Sequence, residues 1–298
     1  MANTAVVIGD ALIDEIQAED GSASFVGGAG LNVAVGLARL GVDATFIGTV
    51  GADDDGGRIR AFLTDHGVAP LLRTVGERTA RAVSVRINGE PSYFFNREAI
   101  DRGIRIGAAE QQALDAADVV VVSSFPFDNQ AQYSALAAAV ARSRQRLVVD
   151  PNPRPGLLVD KDLFSRNFRT LAARSLLAKV SDEDAPLLGS ADLDTLVREL
   201  LDAGAGTVLA TAGRNGAFIA TAGGARISAP IASLPGTVVD TMGAGDATLS
   251  ATVRALLDGG VPEGSLAWAE LLESAMLVAA ATCRSQGALL QIPAAAAL

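Results

Sequence analysis

The 298-residue chain is poor in several residue types that carry chemistry elsewhere. It has one cysteine, Cys283, and one histidine, His66. One cysteine excludes an internal disulfide and any multi-cysteine metal site, and Cys283 reads as a small buried hydrophobe. One histidine excludes a His-pair metal site and argues against a His-based triad. His66, in LTDHGV, reads as the last residue of a helix before Gly67. Lysine is confined to Lys161 and Lys179, so the other cations are arginines. There is no GxxxxGK[ST], hence no Walker A loop. Mean hydropathy is +0.32, much of it from alanine, and no apolar run approaches the ~20 residues of a spanning helix. The start, MANTAVVIGD, has no basic n-region or long h-region, so no signal peptide is expected. A net charge of −10 argues against a nucleic-acid groove. The expectation is a soluble cytoplasmic protein, with no membrane or nucleic-acid partner. Its chemistry must come from Asp, Glu, Arg, Asn and backbone amides.

What is present alternates between strand-like and helix-like segments. AVVIG (5–9) is a short apolar run ended by glycine, a buried strand by its pattern. LNVAVGLARLG (31–41) reads as a helix, ATFIGTVG (44–51) as a strand and GRIRAFLTDHG (57–67) as a helix. DVVVVSS (118–124), RLVVD (146–150), SLLAKV (175–180) and TVLATAG (207–213) are further strands, most with helical segments between them, one near 128–143. GAFIAT and ARISAP suggest a small hairpin, and two helices follow Gly243 with a break near 259–260. Such alternation implies parallel strands with right-handed crossovers, and runs such as VVVV suit a sheet covered on both faces. RAVSVRINGEPSYFF (81–95) differs: its apolar and polar residues alternate, and Asn88-Gly89 signals a hairpin. The expected fold is α/β: a doubly wound, mostly parallel sheet with helices on both faces, plus a small β excursion. One domain over 1–298 is expected, with the excursion near 11–25 and 80–97.

Ligands of such sheets sit beyond the carboxyl ends of the strands, where Asp10, Ser124, Asp150, Ser181 and Thr211 fall. DTMGAGDA (240–247) lies at the mouth of a helix starting near Ala244. Glycines let backbone N–H groups face inward, and a helix N-terminus adds unpaired N–H groups and a positive dipole end. Together these suit a phosphate. Asp246 either caps the helix or takes a proton from a hydroxyl beside that phosphate. GGAGLNV (27–33) approximates GxGxxG, but Val33 replaces the third glycine and the segment lies well past the first strand, which weakens a nicotinamide dehydrogenase reading.

DTMGAGDA and GGAGLNVAVGLARLGVDATFIGTVGADDDG (27–56) together resemble the two signatures of the ribokinase-like sugar kinases, the PfkB family. VDPNPRP (149–155) is similar to a segment of the fructokinase and 2-keto-3-deoxygluconate kinase branch, and TAGRNGAF (211–218) to the family's nucleotide-side turn. The resemblance covers nearly the whole chain in order. It implies Asp246 as catalytic base, with Gly243, Ala244 and Gly245 as an anion hole for the transferring phosphoryl. It implies sugar contacts from Asp14, Gly27, Gly28, Asn32, Arg97 and Arg154. It implies ATP contacts from Thr211, Gly213, Gly216, Gly243 and Gly245, and Mg²⁺ as cofactor. Backbone donors and Mg²⁺ suffice for that chemistry, so no lysine is required. Where the family often carries Asn-x-x-Glu, this chain has Ser181 and Asp184, so Mg²⁺ falls to Asp184 or Glu183. Asp240 matches the loop where relatives bind a monovalent cation such as K⁺. The excursion resembles a β lid that closes over the sugar and pairs with a second subunit, so a homodimer through the lid is expected, with a monomeric lid as the alternative.

The substrate is expected to be fructose or a similar ketose, then 2-keto-3-deoxygluconate, then a pentose or nucleoside. Arg97 and Arg154 decide between the first two. Directed at the ligand they favour an acidic or phosphorylated sugar; paired with local acids such as Glu98 or Asp160 they favour a neutral ketose. A reading of another class is a non-catalytic sugar or nucleotide sensor.

Overall fold

The AVVIG run forms β1 (Thr4–Gly9), buried from Ala5 onward. The computed structural model describes residues 3–18, 21–87, 90–141 and 146–293. After β1 come β2 (Leu12–Ala18), β3 (Gly21–Gly27), α1 (Ala29–Arg39), β4 (Asp43–Val50), α2 (Asp54–Asp65) and β5 (Ala69–Thr74). Then follow β6 (Arg81–Ile87), β7 (Glu90–Phe95), α3 (Arg97–Ile100), α4 (Ala108–Ala116), β8 (Val119–Ser123), α5 (Gln130–Ala141) and β9 (Arg146–Asp150). The remainder is α6 (Lys161–Ala172), β10 (Leu177–Ser181), α7 (Asp184–Leu187), α8 (Leu193–Ala203), β11 (Thr207–Thr211), β12 (Ala217–Thr221), β13 (Arg226–Ala229), α9 (Ala244–Gly259) and α10 (Ser265–Thr282).

A nine-stranded sheet has the order β13-β12-β11-β10-β9-β8-β1-β4-β5. Every pair from β5 to β11 is parallel, and β12 and β13 add an antiparallel edge. Its strands read as continuous apolar runs because both faces are covered. In β1, Ala5 and Val7 join one core with Leu31 of α1, Ile59 of α2, Val253 of α9 and Trp268 of α10. Val6 and Ile8 join the opposite core with Leu114 of α4, Leu136 of α5, Phe164 of α6 and Leu196 of α8. The helices are capped as their sequences suggest. Asp192 accepts from the Thr195 amide at the start of α8, and Gly204 closes that helix at φ 120°; such an Asp cap contributes ~1 kcal/mol. By length and composition alone α10 could cross a membrane. Here it packs on α9, β12 and β13 with Trp268, Leu272 and Met276 buried.

The chain runs outward from β1 to β4 and β5, then returns to lay β8 on the other flank of β1. This reversal opens a crevice at the carboxyl ends of β1 and β8, the place where such sheets bind ligands. A separate four-stranded sheet, β3-β2-β6-β7, stands over that side. Within it β2 and β6 are parallel and the outer pairs antiparallel. Arg81 of β6 ties this sheet to the helix layer: it donates to Glu15 of the neighbouring β2 at 2.7 Å and pairs with Asp55 of α2. The Asn88-Gly89 turn lies outside the described residues.

Candidate active site

Close backbone approach begins the site. A Cβ on Gly30 would lie 2.7 Å from the Gly9 Cα, so only glycine lets α1 start against the end of β1. The Gly30 amide donates to Asp10 Oδ1 at 3.0 Å. At the far side of the crevice the Asp240 loop turns into α9. Asp240 Oδ1 accepts from the Met242 amide at 3.0 Å and Oδ2 from the Gly287 amide at 3.2 Å. Gly243 holds φ +75°, where a side chain would run into the Ala288 carbonyl. No side chain among the described residues caps α9 at its start. The Ala244 amide turns back to the Thr241 carbonyl at 3.3 Å, and the amides of Gly245 and Asp246 that follow it in the first turn are the ones placed for an anion.

Asp246 sits in that first turn. Asn32, in the first half of α1, donates from Nδ2 to Asp246 Oδ2 at 2.9 Å. Burial pushes the Asp246 carboxyl up to about 6, opposed by the Lys179 ammonium and the Asn32 bond and reinforced by the Asp150 charge. Asp14 on β2 is pushed up to about 7, by burial first and then by the charges of Asp10 and Asp246, with Arg154 opposing. Asp10 is likewise raised by burial. Four elements from three parts of the chain thus place Asp10, Asp14, Asn32 and Asp246 in one electrostatic cluster. A carboxyl tuned toward neutrality beside open helix amides has the properties of a general base for a hydroxyl.

The other glycines match close contacts. A Cβ on Gly27 would enter the Asp14 carboxylate, and Gly28 takes φ +113° against the Asp10 carbonyl. Beyond Asp10 opens a cavity of about 330 Å³ between the ends of β1, β4 and β8 and the segment after β7. Arg97 reaches its rim but is 88 % exposed and pairs with Asp101 at 2.9 Å. Arg154 stands 3.8 Å from Glu183 and acts electrostatically on both Asp14 and Asp246. Asp160 instead caps α6, accepting from the Leu163 amide.

On the nucleotide side, Thr211 ends β11 and its carbonyl takes the Asp182 amide, joining the ends of β10 and β11. Gly213 at φ +48° and Gly216 at φ +83° form the turn that follows. A Cβ on Gly213 would meet open space, whereas one on Gly216 would run into the Ala229 carbonyl and lie 2.9 Å from the Pro230 Cα. Asp184 is buried, accepts from the Ser181 amide at 2.7 Å and is pushed up to about 6 by burial, with Lys179 opposing. No cluster of three or more metal-ligating side chains occurs among the described residues. Mg²⁺ on nucleotide phosphates needs only one or two carboxylates and keeps its waters. Glu183, 80 % exposed, fits that requirement; Asp184, already engaged by Lys179 and Ser181, fits it less well.

Sequence reasoning missed two cations. Lys179, on β10, is buried with its Nζ 3.3 Å from Asp150 and 3.3 Å from where a Cβ on Gly245 would lie. Its ammonium is held above its ordinary range by Asp150, Asp184 and Asp246, which together outweigh the opposing effect of burial. The signal was present: Lys179 is the one charged residue within LLAKV, and buried lysines require partners. Arg102 is buried on the cavity wall, and nothing in DRGIRI distinguishes it from a surface arginine.

The fold and the site together define a phosphotransferase of the ribokinase-like class. The pfkB family carbohydrate kinase model matches residues 2–295, and the chain belongs to that family. A fructokinase from Rhizobium leguminosarum bv. trifolii is 34 % identical over 264 residues, covering 84 % of this chain and 78 % of its own. The crystal structure of aminoimidazole riboside kinase from Salmonella enterica with aminoimidazole riboside and an ATP analog is 27 % identical. It superposes with a TM-score of 0.77, covering 96 % of this chain and 95 % of its own. A Vibrio cholerae fructokinase with fructose, ADP and calcium bound shares the fold at a TM-score of 0.80 and 23 % identity, covering 96 % and 94 % of the two chains. The protein is a carbohydrate kinase.

Proposed function

We propose that the protein transfers the γ-phosphoryl group of ATP to a hydroxyl of a small sugar, a ketose of the fructose type. The observation that carries this reading is Asp246. It is a carboxyl near neutrality at an open helix end, bonded to Asn32 and within electrostatic reach of Asp14. Asp14, Asn32 and the glycine edge at Gly27 and Gly28 would hold the sugar hydroxyls. As the acceptor oxygen attacks, its proton passes to Asp246. The new O–P bond forms while the bond to ADP breaks, leaving sugar phosphate, ADP and a proton. The amides of Gly245 and Asp246, with Lys179 beside them, would neutralise the charge that develops on the phosphoryl oxygens. The turn carrying Thr211, Gly213 and Gly216 would seat the nucleotide. Mg²⁺, when bound with the nucleotide, supplies charge neutralisation, and Glu183 would hold it.

The ketose assignment is supported by the fructokinase name of the Rhizobium relative; Arg97, paired with Asp101, does not select between a neutral and an acidic ketose. The reading extends to one cytoplasmic catalytic domain with the four-stranded sheet as its lid. Phe94, on the edge strand β7 and on the face of that sheet opposite Asp14, is 56 % exposed, which suits a homodimer through the lid. The test is ADP release with ATP, Mg²⁺ and K⁺ over fructose, 2-keto-3-deoxygluconate, ribose, fructose 6-phosphate and adenosine. One acceptor far above the rest supports the kinase reading. Tight sugar or nucleotide binding without ADP formation would replace it with a non-catalytic sensor.

A further inference from the structure

Arg102 does not belong to the cluster that would perform the transfer. It lines the cavity beyond β1 and β8 together with Asp10, whose charge acts on both Arg102 and Asp14, and it is 9 % exposed. Its Nε donates to the Ser124 carbonyl and its Nη1 to the Ala99 carbonyl, both at 3.3 Å. Asp10 and Asp128 attract it, but no carboxylate oxygen of the described residues comes within 4.0 Å of the guanidinium. A buried arginine without an ion-pair partner is costly, because desolvation is not offset by a paired charge. Both long bonds go to carbonyls, so the rest of the planar fork is left for another acceptor.

The surroundings point the same way. Ser124, adopting φ +53°, lines the same cavity, with its buried hydroxyl beside the Asp10 carboxylate. In a chain of net charge −10, this cavity is lined by four arginines and three acids. One of those acids, Asp101, is already paired with Arg97. Arg78 and Arg105 stand exposed at the opening, where they would steer an anion inward.

We propose that the cavity beyond Asp10 is a subsite for an anionic group on the acceptor sugar, a carboxylate or a phosphate, and that Arg102 is its specificity-determining residue. The proposal rests on the kinase reading above and deepens it: the acceptor is a ketose whose acidic group lies at the end away from the hydroxyl that is phosphorylated. A guanidinium fork suits both oxyanions, and the test separates them.

The experiment compares kcat/KM of the parent, Arg102→Met and Arg102→Lys with MgATP and three acceptors: fructose, 2-keto-3-deoxygluconate and fructose 6-phosphate. The parent is expected to favour one of the two acids over fructose, and which one identifies the oxyanion. In Arg102→Met the ratio of acid to fructose kcat/KM should fall on the order of 10- to 100-fold, the range for a hydrogen bond to a charged group. Arg102→Lys keeps the charge without the fork and should fall less. A parent that prefers fructose overturns the subsite and leaves the kinase standing. Equal losses on all acceptors also overturn it, since a purely structural arginine would act that way. Should Arg102→Met not fold, the parent's preference and the Arg102→Lys ratio decide. Should no acceptor yield ADP, the kinase reading fails by itself. Calorimetric binding of the two acids to parent and Arg102→Lys then decides the subsite: weaker binding in the variant supports it, and equal or absent binding overturns it.

Discussion

Asn32 and Asp246, 214 residues apart in sequence, meet across the crevice through one 2.9 Å hydrogen bond from Nδ2 to Oδ2. The bond lowers the proton affinity of a carboxyl that burial raises. Its removal in Asn32→Ala should move the acid limb of the kcat profile to higher pH. The rate at neutral pH should fall on the order of tenfold or more, as for other hydrogen bonds to charged groups. The check is a pH–rate profile from 5 to 9; an unmoved acid limb would count against the role given to Asn32.

Asp246→Asn keeps the shape and the Asn32 contact but cannot accept the proton. Turnover should drop on the order of 10²–10⁴, while the sugar dissociation constant stays within a few-fold of the parent. Steady-state rates together with calorimetry measure both. Turnover equal to the parent would end the assignment of Asp246 as base.

Much of this arrangement was legible in the sequence, for definite reasons. The parallel sheet follows from apolar runs such as VVVV, and the α9 mouth from glycines that only a tight turn explains. The placement of Arg97 was not legible, because its choice between ligand and Asp101 depends on how α3 turns after β7. Lys179 was legible as an oddity in an apolar strand, but its position beside Gly245 depends on how β10 and α9 are brought together. Arg102 was not legible at all: its burial comes from a cavity formed by β1, β4, β8 and the segment after β7, and no local pattern encodes that.

Lys179 and Asp150 form a buried pair at 3.3 Å beside Gly245. Lys179→Met removes the cation and strands a buried carboxylate, which typically costs about 3–5 kcal/mol of stability. The rate should fall as well, because the charge near the phosphoryl site is lost. Adding Asp150→Asn should restore much of the stability without restoring the rate. Denaturant melts and turnover of the two variants separate these effects. If the double variant regains both, Lys179 acts only in folding.

Asp14 offers a test in which function and stability pull in opposite directions. Its carboxyl moves from an ordinary 3.8 to about 7 in the folded protein. A raised folded-state value means the native protein holds the proton more tightly than the unfolded chain. Stability from this group is therefore greatest below about 4 and declines as pH rises through about 7. Above that, the folded state carries a buried charge that the unfolded chain hydrates freely. Asp14→Asn removes this cost, so its melting temperature at pH 8 should exceed the parent's by on the order of a few degrees. The gain should shrink as pH falls and vanish near pH 4, where both side chains are neutral. KM for the sugar should rise in the same variant, since Asn cannot offer two charged acceptors to its hydroxyls. Thermal melts from pH 4 to 8 give the first result and initial rates the second. A melting difference that does not change with pH would show that Asp14 is not the titrating group.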